Sequence, residues 1–188
     1  PSLNVTTANE IVVPVNRDVA FKLDSNDVIH SFWVPKLAGK QDIIPNKTNY
    51  TWFRAEEPGI YQGTCAEFCG IAHALMRFRV RAVSEDEFNL WVAEQQAPPP
   101  VLTGQGAVGQ QVFLAKGCIL CHTTSGPDIA EVRAGRTEAF LAGEHQWTEG
   151  APNQTHAPNL THFGSRITMA GGILETTDEN LRAWLTDP

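Results

Sequence analysis

From Asn4 to about Val83 the chain alternates apolar and polar positions in short runs: Glu10-Ile-Val-Val-Pro-Val, Val19-Ala-Phe-Lys-Leu, Asn49-Tyr-Thr-Trp-Phe-Arg and Met76-Arg-Phe-Arg-Val-Arg-Ala-Val. Runs of this length, rich in β-branched and aromatic residues, predict strands. Asp18, Asn26-Asp27, Ala38-Gly39, Pro45-Asn46 and Glu57-Pro58-Gly59 supply turns between them. The expected product is a small β-sandwich or barrel.

After Ser84 the period changes. Ser84-Glu-Asp-Glu87 has the spacing of a capping box, and Phe88, Leu90, Trp91 and Val92 form an apolar face, predicting a helix to about Gln96. Pro98-Pro99-Pro100 ends it and begins a stiff spacer that loosens at Thr103-Gly-Gln-Gly106. A second helical run, Ala107 to Lys116, stops at Gly117. Near the end, Thr176-Thr-Asp-Glu179 is another candidate capping box, and Leu181, Trp184 and Leu185 make the stripe of a closing helix. The expected organisation is a β domain over 1–97, a Pro/Gly linker over 98–106 and a helical domain over 107–188.

Composition adds bounds. With 188 residues, each half can bury a modest core, and a formal charge of -7 argues against a nucleic-acid partner. No stretch approaches the roughly 18–20 apolar residues that span a bilayer. All four cysteines fall in two close pairs, Cys65/Cys69 and Cys118/Cys121, each beside a histidine, which suits cofactor binding better than structural disulfides.

The stretch Cys65-Ala-Glu-Phe-Cys-Gly-Ile-Ala-His-Ala-Leu-Met76 holds two thiols, an imidazole and a thioether. Sulfur ligands select soft metals, and a mixed S/N set with a weak methionine points to copper in electron transfer. A second imidazole stands upstream in Asp27-Val-Ile-His30-Ser-Phe-Trp-Val-Pro35, on a strand or its end. Zinc could use the same Cys2His2 atoms, but it has no use for a methionine three residues after His73. A Cys65–Cys69 disulfide would leave the flanking ligand types unexplained.

Cys65-x3-Cys69-x3-His73-x2-Met76, preceded by His30-Ser-Phe-Trp-Val-Pro, resembles the dinuclear copper (CuA) site of cytochrome c oxidase subunit II. That resemblance implies a cupredoxin-like Greek-key barrel in which the thiolates of Cys65 and Cys69 bridge two coppers. His30 and His73 each bind one, and Met76 and the backbone carbonyl of Glu67 are weak outer ligands. It also implies that the Glu67 carboxylate helps hold a magnesium ion at the interface with subunit I. In the family two anchoring helices precede this domain, so membrane attachment through helices upstream of Pro1 is expected.

Cys118-Ile-Leu-Cys121-His122 is the C-x-x-C-H motif of covalent c-type haem attachment, with thioethers from the two cysteines and His122 as proximal iron ligand. Pro158-Asn-Leu resembles the G-P-N-L of small cytochromes c, with Ala157 in place of the glycine. In them the proline carbonyl accepts the Nδ1–H of the proximal histidine. The implied fold is an all-α class I cytochrome c, incomplete at its C-terminus. Met169 is the one methionine after the haem motif, yet Leu181-Arg-Ala-Trp-Leu-Thr-Asp-Pro188 resembles the helix that precedes the ligand loop in such proteins. The distal ligand is therefore expected beyond Pro188, with Met169 as a packing or surface group. The insert 123–157 is long for a minimal cytochrome c. A short helix over Arg133–Leu141 and surface positions for His145 and His156 are expected within it.

Two centres joined by a nine-residue spacer, with no nucleophile or acid/base pair in view, resemble the caa3-type oxidases, whose subunit II carries both CuA and a fused cytochrome c. The resemblance implies electron transfer from an external donor (cytochrome c, another small carrier or a donor complex) through haem c to CuA and on to subunit I. There oxygen is reduced to water with proton pumping. It also implies association with the other subunits of a haem-copper oxidase, on the outer (periplasmic or extracellular) face of a bacterial cytoplasmic membrane. A free-standing CuA/haem c shuttle is the main alternative. A copper-delivery protein is disfavoured by Gly70, where that family has proline, and a nitrous-oxide reductase by the lack of room for its propeller. Finally, Arg77, Arg79 and Arg81 alternate with Phe78 and Val80 and should form one positive strand face.

Overall fold

Strands form where the alternation predicts them, and also where glycine hides the pattern. The computed structural model describes residues 3, 5–98, 100–118, 122 and 158–187. The chain divides into two compact units, Asn9–Trp91 with Gly164–Pro188, and Pro1–Ala8 with Val92–Phe163.

The first unit contains β1 (Glu10–Pro14), β2 (Asp18–Leu23), β3 (His30–Trp33), β4 (Gln41–Ile43), β5 (Asn49–Arg54), β6 (Gly59–Cys65) and β7 (Arg77–Val83). One sheet runs β1-β7-β6-β3-β4 and a second pairs β2 with β5. Four of these strands match the predicted runs closely. The turn expected at Asp18 lies slightly earlier, with Asn16 at φ 59° and Asp18 already opening β2. Pro14 is tolerated because β1 is an edge strand, paired in parallel with β7 alone.

β6 escaped the periodicity because Gly59 and Gly63 interrupt it, and the structure shows why Gly63 is there. A Cβ at 63 would lie 2.2 Å from the Phe78 ring. Without one, Phe78 lies across β6 and stacks on Phe32 at 4.9 Å between ring centroids. Phe32 contacts Phe21 at 5.3 Å, and Phe21 contacts Phe53 at 4.7 Å, so an aromatic ladder joins the two sheets. Around it Val13, Val34, Phe53, Ala55, Val80 and Ala82 form the buried core. Full burial of a side chain such as Phe53 or Val80 contributes about 1.5–3 kcal/mol.

Helix α1 (Glu85–Gln96) has the predicted bounds and cap. Ser84 N–H donates to Glu87 Oε2 at 2.9 Å, and Glu87 N–H donates to Ser84 Oγ at 3.3 Å. The first unit also holds a small hairpin, β8 (Thr168–Met169) and β9 (Leu174–Glu175), and the closing helix, here α3 (Asp178–Thr186). Its cap sits one residue later than the expected box. Thr177, with extended backbone, accepts the Asn180 N–H on its Oγ1. Met169 is buried.

The arginine face differs from the expectation of a uniformly exposed positive strip. Arg77 is exposed, but Arg79 Nη2 donates to the Gly172 carbonyl at 2.9 Å, and Arg81 Nη1 lies 3.8 Å from the carboxylate of buried Glu10. Glu10 Oε2 in turn accepts the Ile167 N–H at 3.0 Å. Residues far along the chain cover this face, a partner that alternation along one strand cannot disclose.

In the second unit, helix α2 (Gln105–Ala115) follows Gly104 (φ 56°), and Cys118 and His122 come after it. Cys121 and the calls on 123–157, including His145 and His156, lie outside the described residues. No helix among the described residues is long and apolar enough to cross a membrane.

Candidate metal centre

β3 and β6 are neighbours in register, with Phe32 opposite Cys65, so the strand that begins at His30 delivers its imidazole to the end of the strand that finishes in Cys65. The chain then leaves the sheet for residues 66–76 and re-enters as β7. Cys65 N–H donates to the Met76 carbonyl at 3.0 Å, closing the loop at its neck, and Ala66 N–H donates to the Ser31 carbonyl at 2.9 Å. A single 3-10 turn, His73–Leu75, turns the return limb inward.

This framework gathers all six residues singled out in the sequence. Cys65 Sγ lies 3.8 Å from Cys69 Sγ, and both are free thiols. That separation is far beyond the ~2.05 Å of a disulfide. His30 Nδ1 is 3.9 Å from Cys65 Sγ, and His73 Nδ1 is 3.6 Å from Cys69 Sγ. The Glu67 carbonyl is 3.2 Å from Cys65 Sγ, and Met76 Sδ is 3.7 Å from Cys69 Sγ. His30, Cys65 and Cys69 place their ligand atoms within 4.8 Å of one another. Each sulfur thus has one imidazole nitrogen and one weaker donor beside it. The Glu67 side chain is exposed.

One residue of the site was not singled out in advance. Asp27 Oδ1 lies 2.8 Å from His30 Nε2 and is itself held by Ser25 Oγ at 2.9 Å. A carboxylate here keeps a proton on Nε2 and leaves the Nδ1 lone pair bare towards Cys65, the tautomer a metal needs. An acidic residue three before a candidate ligand was the available signal. Partial burial raises the Asp27 pKa, but hydrogen bonds from His30, the Val28 backbone and Ser25 outweigh it and hold the carboxyl below its ordinary range. Partial burial likewise opposes charge on His30, while Asp27 and then Cys65 outweigh it and raise its pKa.

The two thiols differ. Burial pushes Cys65 up, yet hydrogen bonds from the backbone at Glu67 and Ser31 and from His30 and His73 prevail, bringing it down to about 7. Cys69 is pushed up by burial and by its hydrogen bond and charge contact with Cys65. Two adjacent thiols that cannot both ionise cheaply are poised for a cation that neutralises them. The donor set, soft at its centre and flanked by thioether and carbonyl, fits copper; tetrahedral zinc would leave Met76 and the Glu67 carbonyl unused. Around the loop Phe68, Ile71, Leu75 and Met76 are exposed, an apolar rim beside the ligands.

At the second candidate site, His122 Nδ1 lies 2.8 Å from the Pro158 carbonyl. Only Nδ1–H can make that bond, so in the neutral ring the lone pair is on Nε2, the atom by which a haem iron is ligated.

Residues 2–83 match the family described as cytochrome C oxidase subunit II, periplasmic domain. The chain is 41% identical over 187 residues, covering 97% of it, to cytochrome c oxidase subunit 2 of Alkalihalophilus pseudofirmus. It is 34% identical to the Bacillus subtilis protein of that name over a 195-residue alignment that covers 100% of this chain. It spans about half the length of these curated relatives, 46% and 49%. A solved structure, the periplasmic domain of subunit II of cytochrome oxidase of Bradyrhizobium japonicum, aligns with 49% of this chain and 67% of its own at 40% identity and a TM-score of 0.45.

Proposed function

Residues 2–83 belong to the periplasmic-domain family of cytochrome c oxidase subunit II, and from that premise we propose that this chain is the electron-transfer part of a haem-copper terminal oxidase. In this reading electrons from an external donor pass by way of haem c and CuA to subunit I, where oxygen is reduced to water with proton pumping. The carrying observation is the pair of sulfurs 3.8 Å apart, each with an imidazole Nδ1 within 3.9 Å. Bound there, copper would supply a one-electron centre.

The chain's own residues supply the rest. Cys65 and Cys69 would hold the copper through their thiolates, His30 and His73 through ring nitrogens, and Met76 and the Glu67 carbonyl as weaker flanking donors. Asp27 fixes the His30 tautomer, and the neck bond from Cys65 to Met76 limits how far the ligands move when the charge changes. The exposed rim of Phe68, Ile71 and Leu75 lets a partner approach the ligands closely, which suits docking on subunit I. The Glu67 carboxylate, exposed beside its ligating carbonyl, is the group that would share a magnesium ion there.

His122, oriented by Pro158, and Cys118 with Cys121 make the candidate haem c attachment, which supports the caa3 type and a cytochrome c-like second domain. The cupredoxin-like barrel, the position on the outer face of the membrane and assembly with the other oxidase subunits belong to the same proposal. An absorption spectrum of the purified chain tests it. A near-infrared copper band together with Soret and α bands of haem c is the expected result; a colourless protein would overturn the reading.

A further inference from the structure

Beyond the start of β1, where Glu10 lies opposite Arg79, the edge of β7 is covered by the distant hairpin. Along that edge the Arg79 N–H donates to the Asn9 carbonyl at 2.9 Å, and the next outward-facing donor, the Arg77 N–H, donates to the Gly171 carbonyl at 3.2 Å. Arg77 immediately follows Met76, and β7 begins at this residue. The turn between β8 and β9 therefore bonds to the first residue after the metal loop.

The turn can do this only with an unusual backbone. Ala170, Gly171 and Gly172 have φ of 51°, 68° and 78°, three successive left-handed residues. Gly172 N–H and Ile173 N–H both donate to the Met169 carbonyl, at 3.1 and 3.2 Å, closing the turn over buried Met169. A Cβ on Gly172 would meet the Arg77 carbonyl oxygen at 2.9 Å and its carbon at 3.1 Å. A Cβ on Gly171 would come within 3.4 Å of the Leu75 oxygen. Arg79 Nη2 also donates to the Gly172 carbonyl, and Glu10 anchors the hairpin base by accepting the Ile167 N–H.

We infer that the turn Ala170–Ile173 is a clamp that positions the exit limb of the metal loop, and through it the thioether of Met76 beside Cys69. This rests on the copper reading of the loop. The clamp makes a segment about a hundred residues from the ligands part of what sets their geometry. Gly171, Gly172 and Arg79 are positioning residues, and none of them touches the metal.

The test compares the full chain with Gly172→Ala and Arg79→Ala. For each we would record the near-infrared and visible copper absorption, the copper hyperfine pattern in electron paramagnetic resonance, and the rate of copper loss to a chelator. Hydrogen exchange at the Arg77 amide would be followed in the copper-free protein. Gly172→Ala should shift the copper spectrum and speed copper loss about tenfold or more, within the range for outer-shell changes. Arg79→Ala, which adds no bulk and keeps the protein testable if Gly172→Ala does not fold, should act in the same direction by a few-fold. The Arg77 amide should be protected in the parent and exchange faster in both variants. A parent with the copper spectrum and variants indistinguishable from it would overturn the clamp and leave the copper reading standing. A parent without that spectrum would overturn the copper reading, and with it the positioning of Met76; a protected Arg77 amide would then mark only a structural tie.

Discussion

Replacing Asp27 by asparagine isolates the contribution of a residue that touches no metal in the proposed centre. The carboxylate accepts from His30 Nε2 at 2.8 Å, and the imidazole side chain is 13% exposed while the Asp27 side chain is 65% exposed. Asparagine keeps the shape and one acceptor but removes the charge, so it loses the raised basicity of the ring and firm control of its tautomer. Losing tautomer control alone costs about a factor of two, because two near-equal forms then compete. Removing outer-shell partners of a ligating histidine costs about 10- to 100-fold in metal affinity, or about 1.4–2.7 kcal/mol. The exposure of Asp27 screens the charge, which places the expected loss near the lower end, about tenfold. Copper retention against a cuprous chelator, followed through the near-infrared band, is the assay. Ser25→Ala, which removes one of the supports of Asp27, should give a loss of two- to three-fold. An Asp27→Asn protein within twofold of the parent would refute the argument that this carboxylate tunes His30.

Cys69→Ser should abolish the copper spectrum, since a hydroxyl is too hard and too basic to bridge Cu(I), while the haem bands persist; unchanged copper content would show that Cys69 does not bridge. Copper uptake by the apo chain should release more protons at pH 6 than at pH 8, with the step near 7, because the metal takes thiolates and Cys65 is brought down to about 7. The sign follows directly: below that value Cys65 carries a proton the metal must displace, so apparent affinity falls as pH falls. Proton release that is flat across this range would contradict it. Gly63→Ala should lower the denaturation free energy of the copper-free protein by about 1–3 kcal/mol by forcing Phe78 off Phe32, whereas Gly39→Ala, with open space around it, should not. Equal midpoints for the two would count against the packing of Phe78 across β6.

Much of the site was legible because metal ligation demands particular atoms at particular spacings. Cys65, Cys69, His73 and Met76 lie within one loop, and His30 stands among strand-forming neighbours. Less legible were features that depend on partners distant in sequence. β6 is broken by glycines whose reason is the Phe78 ring. The arginines of β7 read as a surface strip, although Arg79 and Arg81 are engaged by Gly172 and Glu10. The α3 cap moved by one residue because Thr176 and Thr177 are both competent and local spacing does not choose between them. Instead the Thr176 N–H is taken by the Ile167 carbonyl, which leaves Thr177 to begin the helix.

The parallel pairing of β1 with β7 also bears on how the molecule comes into being. Glu10 lies opposite Arg79 and Pro14 opposite Val83, so the first strand of the unit can dock only after the strand that follows the metal loop is in place. Long-range pairing of this kind is slow, since the chain entropy of closure is lost before the contacts are gained. Until it happens the two thiols sit on an unfinished scaffold, close in sequence and able to be oxidised together. In the proposed copper centre, metal insertion would then follow this pairing, and the interval before it is when these cysteines would most need a reducing environment.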